Sequence, residues 1–456
     1  LSLGYEVQGD NILENGQAFS KLGKRNAVLK DLSPSATFIA YNYNTTLDAD
    51  LFTEEAKRIL NEVDEEFGWM YETLHSDGQS RGKINYTIWS DVFSCTYCAQ
   101  QLVFWDIAYD KKNCKMLSSF PCPVCQESLS KKNLNRCWED KYDGIIKREI
   151  CRAKQVPVLI NYNLGKQKYE KKPDKFDFKV LHKIKDLDIP FWFPLQEIPD
   201  GYNTRQARVS HGLTHVHEYY TKRNLFILSA LFARTTDDRI GKALKFLIDS
   251  YNLSHSTIMS RIIFKKNSKK PVLTGYQSGT LYAPSLFAEK NLISGILNNK
   301  LPIISKSFRE IKDNQVVSTG NSEHTQIKDN SIDYIFIDPP FGKNIMYSEL
   351  NFLSEAWFDV FTDNEREAIE NSYQNKGVAQ YQEIMTSCFK EFYRILKPNR
   401  WMTVEFSNSD NSIWNSIQQA LNSAGFVIAN VSILDKRQNS FKAVTTEVAA
   451  KQDLII

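Results

Sequence analysis

Strand and helix periods alternate at both ends of this chain and break off between them. At the start, Tyr5–Gly9 reads as a short extended run and Ile12–Leu22 as a helix ended by Gly23. Arg25–Lys30 follows as a second strand, closed at its carboxyl end by Asp31. Asp31-Leu32-Ser33-Pro34 then opens another helix, with Pro34 where a first helical turn accepts it. The rhythm resumes at Ile332–Ile337 (IDYIFI), an apolar strand ending in Asp338. It continues through an amphipathic helix Tyr381–Leu396, a turn Lys397-Pro398-Asn399-Arg400 and a strand Trp401–Phe406. A helix Ser412–Ala424 ending at Gly425, a strand Phe426–Ser432 and a terminal strand Gln452–Ile456 complete it. Such an order predicts a doubly wound α/β sheet, Rossmann-like, with helices on its faces. The segment between its halves is far too long for a loop and must carry its own structure. The expected parts are residues 1–50, an insertion over 51–275 and a second half of the sheet domain over 276–456.

Within the insertion, Phe52–His75 reads as helix, with Thr53 as N-cap and Glu54 and Glu55 in the favourable first turn. Ile84–Phe93 and Leu102–Tyr109 are rich in strand formers. Residues 129–210 read as basic, aromatic and irregular. Glu218–Tyr251 reads as two helical pieces broken near Thr235-Thr236. A net charge of +3 on 456 residues does not announce a nucleic-acid binder. The distribution says more, because residues 131–185 hold 16 Lys/Arg against 7 Asp/Glu. That excess suits either a solvated lysine-rich surface or a phosphate-binding face. No apolar run approaches bilayer length and no signal peptide is visible, which predicts a cytoplasmic protein without membrane attachment. The first residue is Leu1, and an incomplete N-terminus is expected.

Seven of the eight cysteines lie between Cys95 and Cys151, the eighth being Cys388. Cys95-x-x-Cys98 and Cys122-x-x-Cys125 are two knuckles, each placing two thiols on one tight turn. Two such turns complete a tetrahedral Zn²⁺ site with no open position, so a structural metal in a zinc ribbon over about residues 84–130 is expected. Four unrelated thiols at this spacing are improbable; Cys114, Cys137 and Cys151 are left over. Pro121-Cys122 looks like a Pro-Cys nucleophile, but zinc ligation explains Cys122 better. His215-x-His217-Glu218 invites a second metal reading, outweighed by an ordinary helix or surface role. With Arg205, Arg208, Lys222 and Arg223 nearby, contact with a nucleic-acid backbone is the stronger expectation.

Asp338-Pro339-Pro340-Phe341 directly follows the apolar strand, where ligands bind in open α/β sheets. A plain strand followed by a Pro-rich turn is the bland alternative. The chemistry favours more. An exocyclic base amine is a poor nucleophile because its lone pair is delocalised into the ring. Asp338 and the carbonyl of Pro339 can both accept hydrogen bonds from such an amine and favour a tetrahedral, more nucleophilic geometry. The two prolines stiffen the backbone and supply no competing N–H. Phe341 offers a ring for a base to stack on.

At these residues the chain resembles the amino-methyltransferases of DNA adenine N6 and cytosine N4, whose motif is Asp/Asn/Ser-Pro-Pro followed by an aromatic. Asn330–Trp357 (NSIDYIFIDPPFGKNIMYSELNFLSEAW), Leu396–Asn408 (LKPNRWMTVEFSN) and Asn26–Asn44 (NAVLKDLSPSATFIAYNYN) look like a subgroup with a zinc-ribbon insert. Its members are tied to bacterial restriction-modification or phage defence. The resemblance implies transfer of a methyl group from S-adenosylmethionine to a base of DNA, adenine N6 before cytosine N4. It implies a bacterial or archaeal source, a restriction or defence partner, and a target base flipped out of the duplex. It places Asp31 on the cofactor ribose; helix capping is the alternative for that residue. It also asks for a glycine-rich turn after the first strand, where this chain has Gly9-Asp10-Asn11-Ile12-Leu13. Only Gly9 keeps the feature, and Asp10 is the other candidate there. The rivals are an RNA base methyltransferase and a degenerate relative that only binds DNA.

Overall fold

The computed structural model describes residues 6–14, 16–23, 25–265, 268, 270–311, 315–408, 410–434 and 453–456. Most of the expected second half is present. The strand Ile332–Ile337 runs parallel to Leu396–Phe406, and the helix Val378–Ile395 makes the crossover. The strand Asp453–Ile455 lies antiparallel between Leu396–Phe406 and Ser432–Leu434, so the order is 332–337, 396–406, 453–455, 432–434. The turn at residues 397–400 survives as a bulge: pairing jumps from Ile332↔Leu396 to Tyr334↔Trp401, and Asn399 takes a positive φ of 60°. Residues 426–431 are not strand; only Ser432–Leu434 is. The helix Asn411–Ala424 ends at Gly425 in the left-handed conformation, as its sequence demands. Tyr381, Met385 and Phe389 of one helix and Ile413, Ile417 and Leu421 of the other bury against Val404 and Phe406.

The first half differs from expectation. The strand Ala27–Asp31 forms and pairs in parallel with Gln315–Thr319. Ser33 caps the following helix Pro34–Asn44, its Oγ accepting from the Ala36 N–H at 3.2 Å. Upstream, however, the expected helix over 12–22 is absent. Glu6–Gln8, Asn11–Glu14 and Gln17–Lys21 make an antiparallel meander instead. Gly9 at φ +60° and Gly16 at φ +77° sit at its two bends, and two left-handed turns seven residues apart suit hairpins rather than one helix. The single sheet expected from the βα rhythm is therefore two separate pieces among the described residues, each with one parallel strand pair. The strands Ala27–Asp31 and Ile332–Ile337 each keep an unpaired edge, and Val28, Tyr334 and Phe336 are exposed.

The insertion is ordered throughout its middle, not irregular. The 15-residue strand Arg81–Cys95 pairs with Gln155–Leu164, Leu134–Arg136, Gln101–Val103, Glu72–Leu74 and Leu286–Lys290. The last of these lies past residue 275, so the insertion's sheet reaches into the segment assigned to the second half. Trp138–Asp143 and Arg148–Ala153 form a separate hairpin. The helix Ala49–Phe67 starts at Asp48, whose carboxylate accepts from the Asp50 and Leu51 N–H groups at 3.0 Å. Thr53 is not the cap; its hydroxyl bonds back to the Ala49 carbonyl. Phe52, Ala56, Ile59, Leu60 and Val63 bury along one stripe of that helix at i, i+4, i+7 spacing. Each large apolar side chain there contributes about 1.5–3 kcal/mol. The helices Lys222–Phe232 and Arg239–Tyr251 pack in the same core, which takes in Leu353, Ala356 and Trp357 of the helix Tyr347–Ala356. The insertion and the segment after the Pro-Pro turn thus share one core.

Candidate active site and metal centre

Asp338 leaves the strand end exposed, with Pro339 buried behind it. The turn is held by its carbonyls. Tyr381 Oη donates to the Pro340 carbonyl at 2.8 Å and Asn408 Nδ2 to the Phe341 carbonyl at 3.0 Å. The Glu370 N–H donates to the Gly342 carbonyl at 3.3 Å. Gly342 has φ +64°, and a Cβ there would meet the Ile413 side chain at 3.0 Å, so the turn needs glycine. Phe341 is half-buried, edge-to-face with Phe406 at 5.1 Å. These ties leave Asp338 at the rim of a fixed, proton-poor backbone turn.

The helix Tyr347–Ala356 begins a few residues on and connects this turn to Asp31. Asn351 Nδ2 donates to Ser33 Oγ at 3.0 Å, and Ser33 Oγ donates to Glu355 at 2.7 Å. Asp31 accepts the Ser33 N–H at 2.8 Å, and its own carbonyl accepts from Gly320. Burial raises its pKa, against the pull of the Ser33 and Leu32 N–H groups. Tyr347 lies within the fields of both carboxylates: burial first, then Asp338 and Asp31, raise its phenol pKa. The acid expected on the cofactor ribose and the acid expected on the base amine thus both act on one tyrosine, which the sequence alone did not single out.

Gly9 and Asp10 do not join them in the expected way. They form the two-residue tip of the hairpin between Glu6–Gln8 and Asn11–Glu14, not a strand-to-helix turn. Asp31 does keep its place at the carboxyl end of a parallel strand, whereas Gly9-Asp10 supplies no glycine-rich strand-to-helix turn.

The cysteine knuckles fit a metal closely. The Ala99 N–H bonds to the Cys95 carbonyl at 2.9 Å and the Gln126 N–H to the Cys122 carbonyl at 3.0 Å. Ala99 and Gln126 both take φ near +60°, so the two turns repeat one geometry. They bring Cys95 Sγ to 3.7 Å from Cys125 Sγ and Cys98 Sγ to 3.7 Å from Cys122 Sγ, with all four within 4.8 Å of one another. Thiolates about 2.3 Å from one tetrahedral Zn²⁺ stand about 3.8 Å apart. The N–H groups of Cys125 and Val124 aim at Cys122 and bring its pKa down to about 6. Asp143, His217 and Glu218 form a second close group. There His217 Nε2 already meets Asp143 at 2.9 Å, and Arg152 faces Glu218 at 3.5 Å, so the local charge is met by protein.

The basic residues divide. Arg205 is exposed. Arg208 is tied to the Ile198 carbonyl and to Asp200 at 3.3 Å, and Lys222 is half-buried. Arg223 is a correction: it is only 4% exposed and its Nη1 pairs with buried Glu289 at 2.7 Å, with Trp89 Nε1 on the same carboxylate oxygen at 3.0 Å. Its charge is paired inside the core. Arg136 and Arg152 likewise serve buried acids, Asp91 and Glu218, so part of the basic excess in residues 131–185 is internal.

A family model described as DNA methylase, of the N6/N4 methyltransferase type, matches residues 332–456, from the strand before Asp338 onward. No curated protein matches the chain. The matched segment holds the Asp-Pro-Pro-Phe turn and the four-stranded sheet, and it supports methyltransferase activity on DNA in the broad sense. No helix among the described residues is long and apolar enough to cross a membrane.

Proposed function

We propose that this protein is an S-adenosylmethionine-dependent DNA methyltransferase acting on an exocyclic base amine, adenine N6 before cytosine N4. The observation that carries the reading is Asp338 at the end of a parallel strand, on a turn whose carbonyls are fixed by Tyr381, Asn408 and Glu370, inside the segment matched by the DNA methylase family. Asp338 accepts a hydrogen bond from the amine and the Pro339 carbonyl takes a second, while Phe341 offers a ring face for the base to stack on. Bound S-adenosylmethionine supplies the methyl group, and Asp31 would hold its ribose. In a duplex the base must leave the stack to reach Asp338. The exposed Arg205 contacts backbone phosphate. Cys95, Cys98, Cys122 and Cys125 hold a structural Zn²⁺ in the insertion, which reads the target site. A bacterial or archaeal cytoplasm and a restriction or defence partner complete the reading. The test is incubation with labelled S-adenosylmethionine and DNA or RNA, followed by identification of the methylated nucleoside. Label on RNA alone would overturn the DNA assignment.

One observation favours a second reading, a relative that binds DNA without methylating it. Gly9-Asp10 forms a hairpin tip and the sheet is in two pieces. Calorimetric titration with S-adenosylmethionine separates the two: measurable binding supports the enzyme, and no binding supports the second reading.

A further inference from the structure

One buried carboxylate ties three segments together beside the Asp-Pro-Pro-Phe turn. Glu349, on the first turn of the helix Tyr347–Ala356, is 4% exposed. It accepts from the N–H groups of Tyr202 at 3.3 Å and Asn203 at 2.8 Å, and from Asn203 Nδ2 at 3.1 Å. Asn371 Nδ2, itself buried, approaches the same carboxylate at 3.3 Å. Gly201 is the only residue type that fits above it, since a Cβ would stand 2.4 Å from the Glu349 carboxyl carbon. An insertion loop, residues 201–203, is thereby fixed against the turn at residues 371–376. That turn is fixed in turn to the catalytic loop: the Glu370 N–H bonds to the Gly342 carbonyl, one residue after Phe341, and Asn371 reaches Met346 Sδ at 3.3 Å.

This scaffold displays two tyrosines. Tyr202 and Tyr373 meet edge-to-face, with ring centroids 5.0 Å apart and planes at 84°. Tyr202 Oη is held by Ser372 Oγ at 2.7 Å, so its ring is not free to swing. Yet the two residues remain 49% and 41% exposed. The pair keeps ring surface in water, and Tyr373 lies a few residues past Glu370, whose N–H bonds to the Gly342 carbonyl of the catalytic loop. Exposed Arg205 begins the next helix, its backbone N–H bonded to the Gly201 carbonyl at 3.2 Å, so a guanidinium is carried on the segment that follows the Tyr202 loop.

We propose that Tyr202 and Tyr373 form an aromatic gate that receives an unstacked nucleobase beside Asp338, with Glu349 as the positioning residue that holds the gate to the catalytic loop. The inference rests on the nucleic-acid substrate proposed above, and it names the form in which the substrate is met: a base already out of its stack. Rigid aromatic faces bind any base by stacking, so the gate favours an unpaired base without selecting its identity. A mispaired base lowers the cost of unstacking and engages the gate more readily.

The experiment compares binding of full-length protein, by fluorescence anisotropy, to two labelled duplexes. One is fully matched; the other carries a single mismatched adenine with randomised flanks. The wild type is expected to prefer the mismatched duplex by about tenfold, and Tyr202→Ala and Tyr373→Ala each to lose most of that preference while matched-duplex binding stays within about twofold. Tyr202→Phe and Tyr373→Phe keep the rings and are expected to retain the preference, a rescue that a purely structural hydrogen bond to Ser372 would not show. Thermal melting confirms folding of each variant. No preference in the wild type, or full preference in both alanine variants, overturns the gate. Asp338→Ala separates this inference from the function it rests on. Mismatch preference in Asp338→Ala, in a protein whose wild type methylates no nucleic acid, leaves the gate standing while the enzymatic reading fails. Methyl transfer with unchanged binding in the tyrosine variants does the reverse.

Discussion

At the scale of single residues, the account depends on a few close approaches. Gly201→Ala sets a methyl group against the Glu349 carboxylate, with no room to relax because Glu349 is held by four hydrogen bonds. It is expected to cost about 1–3 kcal/mol, read as a lowered midpoint in urea. Glu391 offers a pH test. Its carboxylate accepts from Arg394 at 2.7 Å, and from the Thr325 N–H and hydroxyl at 2.7 Å each, which brings its pKa from 4.5 down to about 2. A depressed carboxylate pKa stabilises the fold above the unfolded value and loses that share as pH falls through the folded value. The stability gap between wild type and Glu391→Gln should therefore be largest above about pH 5, on the order of 2 kcal/mol, and close between pH 4.5 and 2. A gap that is constant with pH would show that Glu391 acts only by shape. Arg223 shows what residue-level reading of the sequence misses. Beside Lys222 it looks like part of an exposed basic stretch, but its partner Glu289 lies 66 residues away and no local pattern reveals the pairing.

At the scale of elements, periodic segments were legible and turns were not. Ile332–Ile337, Val378–Ile395 and Asn411–Ala424 follow from strong apolar periods, and the Gly425 stop follows from its left-handed need. The helix expected over 12–22 failed because Gly9 and Gly16 permit two tight bends, and the short apolar run between them suits either structure. Residues 129–210 read as irregular because strands there pair over long separations, as Gln155–Leu164 does with Arg81–Cys95. The cysteine knuckles were legible because C-x-x-C carries its own turn. For this element the expected outcome is one zinc per chain by elemental analysis, lost in Cys122→Ser together with Cys125→Ser. Chelation should lower the melting temperature by about 10 °C, since Cys95 and Cys122 are buried in the same cluster as Phe104 and Phe120. Freshly purified protein without zinc, or with zinc retained in the double variant, refutes the site.

At the scale of the whole molecule, the candidate site is assembled from segments far apart in sequence. Asp31, the Asp338 turn, Tyr347 and the Gly201–Asn203 loop meet through the helix Tyr347–Ala356, whose other face is part of the insertion's core. The insertion is therefore not an appendage to the catalytic half, and Glu349→Ala is expected to reduce methyl transfer through misplacement of both loops while leaving zinc content unchanged. The central claim is that Asp338 directs methyl transfer to an exocyclic amine of DNA. Its most direct test incubates wild type and Asp338→Ala with labelled S-adenosylmethionine and DNA of mixed sequence, then resolves the nucleosides. The account predicts label in N6-methyladenine for the wild type and none for Asp338→Ala, with the two proteins melting alike. Label on a ring carbon, label undiminished in Asp338→Ala, or no label on any base would contradict it.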